Sequence, residues 1–374
     1  MTPTTQQFLV RDSLAVISLT AIAIVLFGIT LFLFRSFEAR RAQLARDWAN
    51  RGLAALRAKR PAEAVTAYRT ALSYAPGDRN DEFMLAEALG EAGRIDESFN
   101  YFMGLWQTRP GEGLINLEMA RLAARQQNTQ AAINYYRAAM VGTWEGDAIE
   151  RRRAVRLELA RYLIQQRELG QAKTELLIAG GNAPDLPDLD MTVGGLLEQA
   201  DDPSDALAYY QKAVKDRPRD AGALGAAGRL AFHLGEYSQA RDSLRRAVRE
   251  QPDNRKIAAL LAQSERILQL IPAEDLPVRE RVRRILAART IAEQRMSACS
   301  ALPEDLTARW AGPDGTAAAS ALRTDPDIQK SVLQLVYDTE IVASHRCSAA
   351  TGDDALLLLL ARSSAQIRET SHQH

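Results

Sequence analysis

The sequence has little of the chemistry from which catalytic and metal sites are built. Its 374 residues include four histidines and two cysteines. His345 and Cys347 form only an H-x-C pair, without the paired C-x-x-C spacing of structural zinc sites. Phosphate-binding loops, dinucleotide-binding glycine patterns, nucleophile elbows and H-E-x-x-H helices are absent as well. We therefore expect no catalytic residue, no cofactor and no metal, and the sequence does not predict an enzyme.

The sequence also lacks an excess of charge of either sign. It has 47 basic and 47 acidic residues, so its formal net charge is zero. This balance gives no electrostatic argument for a nucleic acid partner, and we expect none. Aromatic residues make up only 6% of the chain. Alanine, leucine and arginine dominate instead, which is typical of stacked helices.

What the sequence does contain is a repeat. Small residues recur at spacings of 34, 34, 40, 34 and 34 residues, at Ala64, Ser98, Ala132, Ala172, Ala206 and Ala240. Each is followed four positions later by an aromatic residue or leucine, and seven positions later by alanine or leucine. Proline follows twelve positions later in every unit except the third, where Trp144 replaces it. A fixed period of this length predicts stacked helical hairpins.

Each unit predicts two amphipathic helices. In the first unit, Gly52 and Ala55 mark the first helix, and Tyr68 and Ala71 mark the second. Small residues allow the helices to approach closely, and the proline ends the second helix because it lacks an N–H. One hairpin cannot bury its apolar face alone, so neighbouring hairpins must stack into a continuous core.

The period and the small–aromatic–small order resemble the tetratricopeptide repeat family over residues 45–254. The resemblance implies an all-α, right-handed α-solenoid of about six helical hairpins that binds other proteins. The predicted units are 45–78, 79–112, 113–146, 153–186, 187–220 and 221–254. The sequence departs from the family in the first helices, where only Trp48 occupies the tryptophan position.

The period is interrupted once, between the third and fourth units. Six extra residues, 147–152, follow the segment that contains Trp144. They predict either a longer loop or a kink that serves as a contact loop. In the second interpretation Trp144 is the anchor, because aromatic residues are favoured at the centres of protein interfaces.

The N-terminus carries an apolar run. Residues 13–34 contain no charge, and at about 1.5 Å per residue they span roughly 33 Å, enough to cross a bilayer. The alternative is a cleaved signal peptide, whose apolar region would be shorter and would end at a small-residue site. We predict a tail over 1–12, an uncleaved single-pass helix over 13–34 in a bacterial-type inner membrane, and a juxtamembrane helix over 35–44 that runs into the first repeat.

The side of the membrane is set by two opposing signals. Only Arg11 precedes the span, whereas Arg35, Arg40, Arg41 and Arg46 follow it. The positive-inside rule therefore predicts a cytoplasmic repeat domain. A large domain can still be translocated despite such charges, and the two cysteines favour the periplasm.

The repeat pattern ends before the C-terminus. An amphipathic helix over 255–271 is predicted to cap the array, followed by a small helical domain over 272–368 and a disordered tail over 369–374. Cys299 and Cys347 each end a predicted helix of this domain. In an oxidising compartment they would form a disulfide, and in a cytosol they would be buried thiols.

The candidate binding residues lie on the first helices, which line the inner surface in this family. Alignment of the units places Arg121, Arg125, Arg161 and Arg229 there, with the first three close together. Arginine presents a planar fork that suits carboxylates, so an acidic peptide or a C-terminal carboxylate is the predicted ligand. The alternative is that these arginines pair with local acids such as Glu118 and Glu158.

These features predict a membrane-tethered scaffold that binds partner proteins through its groove and organises a membrane-associated complex. Its expected partners are proteins, including acidic peptide segments or other membrane subunits, and the lipid bilayer. The alternative is a periplasmic factor in envelope biogenesis, polysaccharide export or secretion, with a disulfide-bonded C-terminal domain.

Overall fold

The computed structural model describes the backbone of residues 3–181 and 186–371, and the side chains of 17–181 and 186–365. All regular secondary structure within these ranges is helical. The predicted all-α fold of paired helices is therefore confirmed. The chain divides into two units, Met1–Glu175 and Leu176–His374.

The first unit begins with one unbroken helix, α1, over Pro3–Arg57. Its apolar side chains from Ile17 to Phe34 contact nothing that covers them; Phe27, for example, is 71% exposed. Burial starts near Ala45, where α1 becomes the first helix of the first hairpin. Neither glycine nor proline lies between Phe34 and Gly52, so nothing in the sequence interrupts the helix. The segment predicted as an N-terminal tail over 1–12 is helical backbone from Pro3 onwards.

The remaining helices of the first unit follow as hairpin partners. They are α2 (Pro61–Tyr74), α3 (Arg79–Glu91), α4 (Ile95–Thr108), α5 (Gly113–Arg125), α6 (Thr129–Val141), α7 (Ala148–Gln165) and the start of α8 (Leu169–Gly181). Ala64 and Ala71 are fully buried, as the close approach of the helices requires. Gly52 lies so near the Tyr68 ring that a Cβ atom would come within 2.6 Å of it. Ser98 takes the place of alanine in the second hairpin, where its Oγ donates to the Ala86 carbonyl at 2.6 Å.

Every hairpin turns through one residue in the left-handed conformation. These residues are Lys59, Gly93, Gln127, Arg167, Asp201 and Gly235, with φ between 55° and 82°. In each turn the next N–H donates to a carbonyl five residues earlier, as from Arg60 to Ala55. This is the hydrogen bond of a Schellman motif, and it closes the first helix of each hairpin.

Most of the six extra residues lengthen a helix, and the connection before it is also longer: six residues, 142–147, join α6 to α7, whereas four, 75–78, join α2 to α3. Asp147 caps α7 by accepting hydrogen bonds from the N–H groups of Ile149 and Glu150. The helix therefore starts at Ala148 and has 18 residues, whereas α3 and α5 have 13 each. The prediction of a longer loop therefore accounts for only a small part of the insertion, because a capping aspartate precedes a run of good helix formers.

The second unit contains the later hairpins and the C-terminal helices. They are α9 (Pro187–Gln199), α10 (Pro203–Asp216), α11 (Ala221–His233), α12 (Tyr237–Glu250), α13 (Arg255–Leu270), α14 (Val278–Ser297), α15 (Glu304–Ala311), α16 (Ala319–Thr324), α17 (Pro326–Arg346) and α18 (Asp353–Ser371). Helix α13 packs on α12 as a cap and also contacts α14 and α18. The Arg266 guanidinium on α13 binds the Asp353 carboxylate of α18 through two hydrogen bonds, of 3.0 and 2.6 Å.

The C-terminal helices are joined by a disulfide. Cys299 follows α14 and Cys347 ends α17, and the structure bonds them with their Cα atoms 5.8 Å apart. The leucine run of α18 supplies Leu357 and Leu360 to the core. Helix α18 continues to Ser371, into the segment predicted as a disordered tail from Glu369. Residues 372–374 of that tail lie outside the described residues.

Candidate protein-binding face

The predicted binding residues of the first unit lie on the first helices of consecutive hairpins. Arg121 and Arg125 are on α5, and Arg161 is on α7. We call the surface formed by α3, α5 and α7 the first-helix face. Arg121 is half-buried, whereas Arg125 and Arg161 are exposed.

Arg121 is held by carboxylates of its own chain. Its Nε and Nη2 donate to the two oxygens of Glu158 at 2.8 and 2.7 Å, and its Nη1 donates to Glu118 Oε1 at 2.6 Å. The Tyr136 hydroxyl also donates to Glu158, at 3.0 Å. The fork of Arg121 is therefore filled, as in the local-pairing alternative, and it does not present a free guanidinium to a ligand.

The two glutamates of this network respond differently to burial. Burial favours the neutral form of Glu158, but hydrogen bonds from Arg121 and Tyr136 and the charge of Arg121 outweigh it, so its pKa is lowered. Burial raises the pKa of Glu118, and the charge of Arg121 opposes that shift only in part. Glu158, which accepts two of the three hydrogen bonds of Arg121, is therefore its main carboxylate partner, and Glu118 accepts the third.

The other two arginines are more accessible. Arg125 Nη1 donates to the Gly90 carbonyl at 2.9 Å, and its Nη2 lies 3.6 Å from Glu91. Arg161 makes no hydrogen bond or ion pair with any residue that the structure describes. Glu87 adds a further carboxyl group, whose pKa is raised by burial and by the charge of Glu91. The first-helix face thus has mixed charge, and it is not a basic patch.

The second unit repeats the same combination of side chains. Arg229 Nη2 donates to Glu198 Oε1 at 2.7 Å, and the Tyr210 hydroxyl donates to the same oxygen at 2.6 Å. These hydrogen bonds and the charge of Arg229 lower the pKa of Glu198 although its burial acts in the opposite direction. In each unit one arginine, Arg121 or Arg229, binds a glutamate that also accepts a hydrogen bond from the tyrosine of the repeat pattern.

Trp144 is a partly buried wall residue, not an exposed anchor. Its Nε1–H donates to the Ala139 carbonyl at 2.9 Å. Its ring covers Gly113 so closely that a Cβ atom there would lie 2.3 Å from it. The Arg151 guanidinium lies 5.8 Å from the centre of the ring. The contact-loop interpretation made Trp144 an anchor for a partner, whereas the structure shows its ring packed against residues of its own chain.

Trp144 borders a cavity of about 840 Å³ in the first unit. A parallel backbone bridge between Glu112 and Thr143 brings the walls together. The lining residues are Arg79, Asn80, Phe83, Met84, Leu105, Thr108, Arg109, Gly111, Glu112, Leu114, Ile115, Thr143, Trp144, Glu145 and Arg151. Apart from Trp144, none of these residues was predicted to bind a partner, because the predicted arginines lie further along the first helices. Leu114, an apolar side chain at the start of a first helix, was the available signal.

No cluster of histidine, cysteine, aspartate and glutamate suited to a metal ion occurs among the described side chains, 17–181 and 186–365. The accessible chemistry of the first-helix face is that of recognition: guanidinium and carboxylate groups on rigid helices, next to an apolar cavity. Paired helices in a stack of this kind define an α-solenoid.

Family models of the tetratricopeptide repeat match residues 45–78 and 197–264. The chain therefore contains tetratricopeptide repeats at these positions, and such repeats are protein-interaction modules. No curated protein matches the sequence.

Several solved structures are similar in fold. PilF of Pseudomonas aeruginosa has 16% identity, with 60% of this chain and 99% of that chain covered at a TM-score of 0.40. PilW, a widely conserved type IV pilus biogenesis factor, has 17% identity, with 59% and 99% covered at a TM-score of 0.40. A tetratricopeptide repeat protein from Parabacteroides merdae has 12% identity, with 79% and 99% covered at a TM-score of 0.39. These likenesses carry no argument about function.

Proposed function

We propose that the protein is a membrane-anchored adaptor whose repeats lie outside the cytoplasm and bind a protein partner through the first-helix face. The observation that carries the proposal is α1. Its apolar part is long enough to cross a membrane and is exposed along its length, and it continues without a break into the first hairpin. A helix of this length and composition suits a membrane anchor and a signal sequence alike.

The continuity of α1 favours the anchor. The Arg41 Nη2 atom donates to the Tyr74 carbonyl at the end of α2. Contacts of the first hairpin are therefore found only seven residues after Phe34. Cleavage of a signal sequence near Phe34 would leave little chain before residues that the first hairpin uses. An uncleaved helix supplies both a membrane span and an intact first hairpin, because one segment crosses the bilayer and the next completes the repeat.

The disulfide favours the extracytoplasmic side. Disulfides persist in oxidising compartments and are rare in the cytosol. The positive-inside signal points the other way, but Arg41 has a structural role in the first hairpin. Long domains are also translocated largely regardless of their charges. This placement suits a periplasmic factor in envelope biogenesis, polysaccharide export or secretion.

Thiol accessibility tests the placement. Proteins from whole cells are denatured, with or without reduction, and are then treated with a maleimide–polyethylene glycol reagent. We expect Cys299 and Cys347 to react only after reduction, and a C-terminal alkaline phosphatase fusion to be active. Thiols that react fully without reduction, together with an inactive fusion, would place the repeats in the cytoplasm and contradict the proposal.

Site-specific cross-linking tests the binding face. A photoreactive amino acid replaces Arg161, which is exposed and unpaired among the described residues, or Arg137, an exposed control on the second helix α6. We expect a discrete protein adduct in native membranes from position 161 and none from position 137. Equal adducts from both positions, or none from either, would remove the support for the first-helix face.

A further inference from the structure

The cavity beside Trp144 has the size and lining of a binding pocket. We call it the Trp144 pocket, defined by the lining residues given above. Its volume of about 840 Å³ lies within the range of roughly 300–1,000 Å³ that is usual for ligand sites. It opens where α3 and α5 begin, at one end of the first-helix face.

The walls of the Trp144 pocket are apolar side chains that remain open to solvent. Phe83 and Met84 are half-buried, and Leu114 is 36% exposed. Gly113 allows the Trp144 ring to lie against the start of α5, which sets the width of the pocket. An apolar side chain that filled this space would remove these surfaces from water, which is favourable in proportion to the area covered.

The rim of the Trp144 pocket carries two cations, and the fold uses one of them, Arg151, only in its contact with the Trp144 ring, 5.8 Å from the ring centre. Arg79 and Arg151 have no carboxylate partner among the described residues, whereas Arg109 lies 3.5 Å from Glu112. Arg79 is the first residue of α3, where a positive charge opposes the helix dipole and so does not stabilise the helix. Glu145 is the one lining carboxylate left to oppose the two arginines within the described part of the chain.

We propose that the Trp144 pocket seats a bulky apolar side chain of an extended partner segment, with a carboxylate on each side of that side chain. The apolar walls take the side chain, and Arg79 and Arg151 pair with the flanking carboxylates. Arginine suits this role because its planar fork donates hydrogen bonds to two carboxylate oxygens at once. The inference rests on the proposed function and specifies the chemistry of the partner.

Labelled peptides test the inference with the full-length protein in detergent micelles. The first nine-residue peptide has a central phenylalanine with two aspartates on each side and glycine–serine ends. In the second peptide lysines replace the aspartates, and in the third alanine replaces the phenylalanine. We expect the first peptide to bind at least about tenfold more tightly than either of the others in fluorescence anisotropy.

Three substitutions locate the binding site. Leu114→Glu puts a charge on the apolar wall, and Tyr101→Glu is its matched control, because both side chains are 36% exposed and only Leu114 lines the pocket. We expect Leu114→Glu to abolish the preference for the first peptide and Tyr101→Glu to preserve it. Arg79→Glu should reverse the preference between aspartate and lysine. Circular dichroism checks that each variant is folded.

The outcomes separate this inference from the proposed function. Equal binding of the three peptides, no binding up to about 1 mM, or equal effects of Leu114→Glu and Tyr101→Glu would overturn the pocket inference. A cross-link from position 161 that persists in the Leu114→Glu variant would then leave the proposed function standing. If the protein without further substitutions forms no cross-link from position 161, the proposed function is contradicted, whatever the peptides show.

Discussion

Glu340 is a carboxyl group buried among the C-terminal helices of the second unit. It is 1% exposed, and neither of its oxygens has a hydrogen-bond partner within the described residues. Arg295 of α14 and Asp354 of α18 are the charged groups that act on it. Burial raises the pKa of Glu340 to about 7, the charge of Asp354 adds to the shift, and the charge of Arg295 opposes it. The folded protein therefore keeps this proton at pH values where the unfolded chain has lost it.

The pH dependence of stability follows from this difference in proton binding. Because the folded pKa is above the unfolded value, the contribution of Glu340 is fully present below about pH 4.5 and is lost as the pH rises through about 7. Glu340→Gln removes the titration. The free energy of unfolding of the variant should therefore rise relative to that of the unchanged protein when the pH is raised from about 4 to about 8. We expect this relative rise to be ~3 kcal/mol, since each pKa unit is worth about 1.4 kcal/mol.

Urea unfolding at the two pH values measures this effect. Glu250→Gln is the control, because Glu250 is exposed at the end of α12. It should show the pH dependence of the unchanged protein. If Glu340→Gln and Glu250→Gln behave alike, Glu340 is ionised in the folded protein at neutral pH and the expectation fails.

The arginines of the first-helix face show what a repeat alignment predicts and what it leaves open. Alignment correctly placed Arg121 and Arg161 on first helices, because helical register is preserved from unit to unit. It left open whether Arg121 was free or paired. Its partner, Glu158, lies on a different hairpin, beyond the interruption. The distance between Arg121 and Glu158 depends on whether residues 147–152 extend a helix or form a loop. Only the three-dimensional arrangement decides this.

At the scale of elements, the repeat period indicates where each hairpin turn falls but not the conformation of its residues. The period places a turn in each unit, and glycine marks two of the six. The other four turns use Lys59, Gln127, Arg167 and Asp201 in the same left-handed region. Because four of these residues are not glycine, the sequence does not predict their left-handed conformation. The Schellman hydrogen bond imposes it in every hairpin.

Glycine at one of these turns should stabilise its hairpin. The left-handed conformation costs an L-residue about 1–2 kcal/mol, and the greater freedom of glycine in the unfolded chain offsets part of the gain. For Gln127→Gly, whose φ is 60°, we expect the free energy of unfolding to rise by about 0.5–1 kcal/mol. The urea midpoint followed by circular dichroism measures the change.

The reverse substitution provides the comparison. Gly93 has φ of 76° and open space around its missing Cβ, so Gly93→Ala changes only backbone strain. It should lower the urea midpoint by a similar amount. A lower midpoint for Gln127→Gly as well would show that the Gln127 side chain contributes more than the strain costs.

At the scale of the whole molecule, α1 connects its exposed apolar part, 17–34, to the first repeat without a hinge. A flexible insertion would remove this connection while leaving the hairpins intact. We expect a Gly-Ser-Gly-Ser-Gly insertion after Phe37 to preserve the helical content and the disulfide, because the side chains there are exposed. The cross-link from position 161 in native membranes should weaken or spread over several products, since the face no longer has a fixed orientation.

A matched insertion of five alanines separates length from flexibility. Alanine continues the helix, whereas glycine and serine interrupt it. If the two insertions leave the same cross-linked product as the unchanged chain, the orientation of the repeats does not depend on α1.

The unbroken α1 also makes residue number a measure of angle. An α-helix turns about 100° and rises about 1.5 Å for each residue, so the number of residues between Phe34 and Ala45 sets both the height of the first hairpin and the direction that it faces. Removal of about seven residues, two full turns, would lower the hairpin by roughly 10 Å and keep its direction. Removal of two residues would hardly change its height but would turn it toward the opposite side of the helix.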